Sequence, residues 1–228
     1  MKKLSNILVR AFFYIAGFLF MTLGIAISVK SNLGVSPVSS IPYTITCVWG
    51  IEMGKATIIF HIALVFLQII LLRKNFKWKN LLQIPAGILF GYFTTMCNSL
   101  VANLPLSDAI WIRLLMMIFS TVFIAFGIFL YVPADVIPLA GEGTMLAISQ
   151  ITKIKFSTVK IIFDVSMVVI SFVTCMIALH SLGSVGIGTV IAAVIVGLEL
   201  KFFTKFLGGF RNKILYKYGI IKTEKNSN

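Results

Sequence analysis

The chain has 228 residues, of which 59% are hydrophobic and 12% charged, with a mean hydropathy of +1.02 and a formal net charge of +13. Soluble domains run near 45–50% apolar and about 25% charged, so a water-soluble globule is excluded. The basic residues flank apolar runs instead of forming one patch, which argues against nucleic acid and for orientation in a bilayer.

The first apolar run covers about 8–29, behind Lys2, Lys3 and Arg10. It is too long for a signal-peptide core and is read as a membrane span. Next comes 33–50, LGVSPVSSIPYTITCVWG, which is apolar but short and interrupted by Pro37 and Pro42. Runs at about 55–73 and 81–102 follow, joined by RKNFKWK, and then 109–132. A second interrupted stretch, 136–152, carries Pro138, Gly141 and Gly143, and precedes runs at 157–179 and 185–206 and a basic tail over 209–228. About 20 residues cross the hydrocarbon at 1.5 Å each, so six runs qualify as spans. Proline and glycine argue against unbroken crossing by the other two. Cys47, Cys97 and Cys175 fall in separate runs without C-x-x-C spacing and read as small buried hydrophobes.

The charges set the topology. With neither interrupted stretch crossing and the N-terminus cytoplasmic, only Lys30, Lys55 and Arg113 lie outside. Crossing by both would carry the RKNFKWK loop outward and weaken the bias. Six spans with both termini inside are therefore expected, and Trp78 and Trp111 fall at the expected interfaces.

Sliding the sequence by 103 residues lays 10–65 on 113–168 without a gap. Arg10 meets Arg113, Phe20 meets Phe123, Gly24 meets Gly127, and Ile58, Ile59 and Phe60 meet Ile161, Ile162 and Phe163. Both interrupted stretches fall in register. Three spans per half invert the second half relative to the first, a pattern whose functional site lies where broken helices meet near the midplane. The interrupted stretches are expected to re-enter the membrane from opposite sides with their helix N-termini toward the centre. The alternative is a pair of short interfacial helices.

Ionisable groups inside spans are functional candidates. His61 and Asp164 occupy equivalent places in the second and fifth spans, with Lys160 one turn before Asp164 as its surface partner. His61 reads equally well as a neutral imidazole bonded to a helix carbonyl. Glu142, between Gly141 and Gly143, opens the second short helix; it reads as a solute ligand or as a group that satisfies the local N–H donors. Its first-half counterparts are Ser36, Ser39 and Ser40. Glu199 reads as snorkelling to the inner interface, and Gln68, Gln83 and Asn98 as helix stitches. His180, Asp108 and Glu52 fall near water. No H-E-x-x-H, G-x-S-x-G or phosphate-binding glycine loop is present, so no enzyme is expected.

The segments LGVSPVSSIPYTIT, GKATIIFHIALVF and LLQIPAGILFGYF, then PLAGEGTMLAIS, VKIIFDVSMVV and GTVIAAVIVGLELKFF, resemble the YczE/YyaS/YitT-type bacterial integral membrane proteins, the YczE-like branch above all. The resemblance implies that Gly141, Glu142, Gly143 and Asp164 belong to the branch pattern. It departs at GYFTTMCN, where Thr95 or a neighbour replaces an acidic residue.

The expected fold is all-α: a polytopic membrane protein of six spans in two inverted three-helix repeats, each with one re-entrant helix. One transmembrane domain covers 1–208, with repeats at about 8–102 and 109–206, and a cytoplasmic tail covers 209–228. The expected function is transport of a small molecule or ion across the bacterial cytoplasmic membrane. Glu142, Asp164, His61, Ser36, Ser39, Ser40, Gly141 and Gly143 would form the substrate site, without metal or cofactor. The alternatives are a non-transporting protein that anchors or regulates a partner complex, and a substrate-binding subunit of a larger transporter. The bilayer and an unidentified solute or ion are the expected partners, a homo-oligomer is compatible with the pattern, and nucleic acid is not a partner.

Overall fold

The structure is a computed structural model that describes residues 2–105 and 109–220; Asp108 and the tail beyond Ile220 lie outside the described residues. Among these the chain forms eight α-helices: α1 (Lys2–Ser31), α2 (Pro37–Trp49), α3 (Met53–Leu72), α4 (Gln83–Ala102), α5 (Ile110–Tyr131), α6 (Ala140–Thr152), α7 (Phe156–Leu179) and α8 (Ile187–Lys217). Six are long and apolar enough to cross a membrane. At 13 residues each, α2 and α6 reach only about 20 Å and cannot.

The local reasons for the short helices are visible in the sequence. Pro37 fills the first helical position of α2, where its missing N–H costs nothing. Gly50, at φ 67, closes the helix by donating its N–H to the Thr46 carbonyl. Lys153 ends α6 in the same left-handed conformation, at φ 60. These break points recur 103 residues apart: Asn32 (φ 54) with Asp135 (φ 49), and Gly50 with Lys153. Glu52 and Lys155, which precede α3 and α7, share φ −57 and ψ 137.

α1 and α5 run antiparallel in close contact, because glycine lets one backbone approach the other. A methyl group on Gly24 would sit 2.6 Å from the Ser120 carbonyl oxygen, and one on Gly127 would sit 2.6 Å from that of Gly17. Position 24 therefore faces 120 while 17 faces 127, and each pair maps onto the other under the 103-residue offset. Each short helix packs on a long helix of the other half. Ser171 on α7 donates to Ser40 on α2 (2.9 Å), and Gln68 on α3 donates to the Ala140 carbonyl of α6 (3.2 Å); Gln68 and Ser171 are also 103 positions apart. One rim of the bundle carries the start of α1 and the end of α8, with Asn6 donating to the Tyr218 carbonyl. The ends of α3 and α6 line one cleft on that rim through Arg73 and Lys153.

The halves differ in one contact. α3 packs tightly on α4 because Gly54 and Gly91 let their backbones meet, and His61 lies over Gly87. The offset carries Gly87 and Gly91 onto Val190 and Val194, which are exposed, and α7 scarcely touches α8. The last helix also extends beyond the boundary read at 208. It runs to Lys217, Leu215 is fully buried, and Arg211 donates to the Phe129 carbonyl at 2.9 Å while its guanidinium lies 4.3 Å from the Phe129 ring centre. Residues 209–220 thus belong to the packed body.

Candidate functional site

The site is built around the first turn of α6. Pro138 and the extended Leu139 bring the chain into the helix, which places Glu142 among its free N–H groups and favours a negative charge there. Tyr131, at the end of α5 and 2% exposed, donates its hydroxyl hydrogen to the Glu142 carboxylate. The same oxygen accepts from the Leu139 N–H at 3.1 Å. Tyr14 donates to the Ile137 carbonyl (2.9 Å), and Arg10 to the Asp135 carbonyl (2.9 Å), so α1 fixes the loop that delivers Glu142. The rings of Tyr14 and Phe18 stand 5.7 and 5.5 Å from that of Tyr131.

A second polar group presses on the same turn. Gln68 and Gln83 are buried to 0% and 1% exposure. The Gln68 amide donates to Gln83 Oε1 (2.8 Å) and lies 3.3 Å from the Thr144 hydroxyl. A methyl on Gly143 would sit 2.9 Å from Gln68 Oε1, an atom with no hydrogen-bond partner among the described residues. A side chain here would have to displace both amides, and with them the hydrogen bond between Gln68 and Gln83.

The two short helices meet by their N-termini. A methyl on Gly141 would lie 3.6 Å from Val38 Cγ1. The space between them is apolar, however: Val38 and Ile41 pack with Phe60, Leu64, Ala140 and Phe163. The serines turn elsewhere. Ser36 donates to Ser39 (3.1 Å), while Ser40 donates to the Pro37 carbonyl (2.6 Å) and accepts from Ser171. Farther along α2, Thr44 and Ser184 share a 2.6 Å hydrogen bond. The polar groups of the two halves therefore lie on separate sides of an apolar plug.

His61 and Asp164 hold equivalent positions in unlike surroundings. His61 is 5% exposed, with its ring 5.7 Å from that of Phe90, and its Nδ1 has no hydrogen-bond partner among the described residues. Among the described residues no hydrogen bond joins it to a helix carbonyl, the partner considered for it from sequence. Asp164 is partly exposed and paired to Lys160 at 2.6 Å, while its buried Oδ1 is unpartnered among the described residues. Among the described residues, no hydrogen bond or ion pair joins Glu142, His61 and Asp164. Glu52 caps α3 by accepting from the Gly54 and Lys55 N–H groups, and takes a hydrogen bond from Thr95 at 2.9 Å. No cluster of three or more His, Cys, Asp or Glu able to hold a metal occurs among the described residues.

Sequence reasoning missed Tyr131 and Tyr14, which carry no signal beyond their ring hydroxyls in an apolar run. It named the two glutamines without their burial. Glu199, expected to snorkel to the inner interface, lies half-buried in the α5–α8 contact, with the Thr121 hydroxyl 3.2 Å from its carboxyl group.

Six apolar helices and two short ones that meet end to end define a multi-pass α-helical membrane protein. The chain belongs to the family of unknown function DUF6198, whose profile matches residues 8–205. It is similar to the uncharacterized membrane protein YczE of Bacillus subtilis (strain 168), at 23% identity over 200 residues that cover 87% of this chain and 86% of the relative. No solved structure matches.

Proposed function

We propose that the protein transports a small solute or ion across the bacterial cytoplasmic membrane, with Glu142 at its binding site. One observation carries the reading: a carboxylate in the first turn of a helix too short to span, held by the buried Tyr131 where both short helices begin. Irregular backbone at membrane depth is tolerated only inside protein or beside a water-filled cavity, and in transporters it marks the binding site. The two halves form an inverted repeat in this reading. The antiparallel α1–α5 contact, its paired glycines and the break points at a constant offset support that relation. Gly141 and Gly143 let Val38 and the glutamines close on the turn. Ser36, Ser39 and Ser40 form the matching turn of the other half. His61 on α3 and Asp164 on α7 belong to the path in this reading, and the apolar plug between the two turns is its closed state.

Both termini are cytoplasmic in this reading, because Arg10, Arg73, Lys74, Lys153, Lys155 and Arg211 gather on the rim that carries the chain ends. The separation of α7 from α8, with Val190, Val194 and Leu198 exposed, favours the second reading, a membrane subunit that docks a partner.

The test is current across proteoliposomes on a solid-supported membrane, during concentration jumps of monovalent cations, halides, amino acids and sugars. Transport predicts a current for at least one solute class, abolished in Glu142→Gln with the fold intact. A silent wild type across the panel, or an unchanged current in Glu142→Gln, would overturn the reading.

A further inference from the structure

Glu199 lies 12 residues into α8, and Thr121 lies 11 residues into α5. At 1.5 Å per residue, both stand about 17–18 Å below the rim where their helices start, near the middle of a hydrocarbon layer of about 30 Å. Snorkelling does not account for Glu199. On α8, the buried Gly188 and Ala192 and the half-buried Ile195, Glu199 and Phe203 form one stripe, while Val190, Val194, Leu198 and Phe202 form the exposed one. The first stripe faces α5. There the Thr121 hydroxyl, whose own hydrogen goes to the Ile118 carbonyl at 2.7 Å, stands 3.2 Å from Oε1 and is open to accept from a protonated acid, and Oε2 is buried with no partner among the described residues.

No cation among the described residues is placed to neutralise this group. α5 carries no charged residue from 114 to 131, α1 none from 11 to 29, and α2 none at all. The nearest cations on its own helix, Lys201 and Lys205, stand on the exposed face, and Arg211 is engaged with Phe129 three turns away. A carboxylate without a cation in such surroundings is strongly disfavoured against the neutral acid.

We propose that Glu199 is a second ionisable site of the membrane interior, a carboxylic acid that holds an exchangeable proton in the α5–α8 contact. It repeats the design of the first site, since both acids are held by α5 hydroxyls, Thr121 for Glu199 and Tyr131 for Glu142. It stands whether or not Glu142 binds a solute.

A hydrophobic carbodiimide reads the site directly. The protonated acid gives its proton to a carbodiimide nitrogen while a carboxyl oxygen bonds to the central carbon. The resulting O-acylisourea then rearranges to a stable N-acylurea. The full chain in liposomes is treated with dicyclohexylcarbodiimide at neutral pH, or with a water-soluble carbodiimide, and adducts are mapped by peptide mass spectrometry. Glu199 is expected to be modified by the hydrophobic reagent about tenfold or more faster than Glu52, and hardly at all by the soluble one. Thr121→Val removes the acceptor of the acid's proton, so its labelling is expected to fall off about half to one pH unit lower. An unmodified Glu199 in the wild type, or equal rates with both reagents, overturns the proposal, and neither result bears on transport through Glu142.

Discussion

The carbonyl of Gly17 stands 2.6 Å from where a side-chain carbon on Gly127 would begin, so α1 and α5 touch backbone to backbone. The Met21 side chain, at 2.5 Å, could swing away, but the backbone Gly17 oxygen and Met21 nitrogen, both at 2.6 Å, cannot. Gly127→Ala is therefore expected to cost about 1–3 kcal/mol through forced separation of the helices. Gly197, inside α8 with nothing within 4 Å of its missing Cβ, is the control. Gly197→Ala is expected to be neutral or to gain up to about 1 kcal/mol from helix propensity. Thermal unfolding in detergent compares the two, and equal midpoints would refute the α1–α5 contact.

Tyr131 satisfies two groups through one oxygen, donating to Glu142 and accepting from the Leu139 N–H. Tyr131→Phe strands both in a buried place and is expected to cost about 1–3 kcal/mol. Glu142→Gln leaves an amide oxygen that still accepts from Tyr131, so it is expected to cost less. The same unfolding measurement ranks them. A larger loss in Glu142→Gln would mean that the Tyr131 contact is not what holds this turn.

The spans were legible because hydropathy reports the solvent around a helix, and the break points were legible because Pro37, Pro42, Gly50 and Pro138 act through local sterics. The end of α8 was not. Its last turns carry Lys201, Lys205, Arg211, Lys213 and Lys217, which read as a tail although Leu215 is buried by α1 and the loop before α6. Side-chain direction was also hidden. The offset makes His61 and Asp164 equivalent, yet His61 is sealed by Gly87 on α4, while Asp164 has no such neighbour because α8 stands off from α7. The Thr121 neighbour of Glu199 was hidden for the same reason, since depth can be counted along a chain but a facing helix cannot.

Burial of the segment after 208 changes what a truncation means. Leu215→Ala is expected to lose about 2–5 kcal/mol by leaving a cavity at the rim that carries both termini. Tyr216→Ala, on an exposed neighbour, is expected to lose much less. Loss of function on removing 209–228 therefore cannot by itself identify a partner-binding tail. Equal unfolding midpoints for the two variants would restore the tail reading.

Re-entry by α2 makes a same-side prediction that crossing does not. Cys97 and Cys175 are buried, which leaves Cys47, near the end of α2, as the most accessible native thiol. A chain that enters and returns brings Asn32 and Cys47 to one rim, and α6 likewise returns Gln150 to the other. A crossing α2 would instead separate Asn32 from Cys47. In right-side-out vesicles, a membrane-impermeant maleimide is expected to give Cys47, and Asn32→Cys in a Cys47→Ser background, the same sidedness. Gln150→Cys in that background is expected to give the opposite one. Opposite sidedness for positions 32 and 47 would put a full span between them. The meeting of Gly141 with Val38 would then be impossible, because the two short helices could no longer approach from opposite rims.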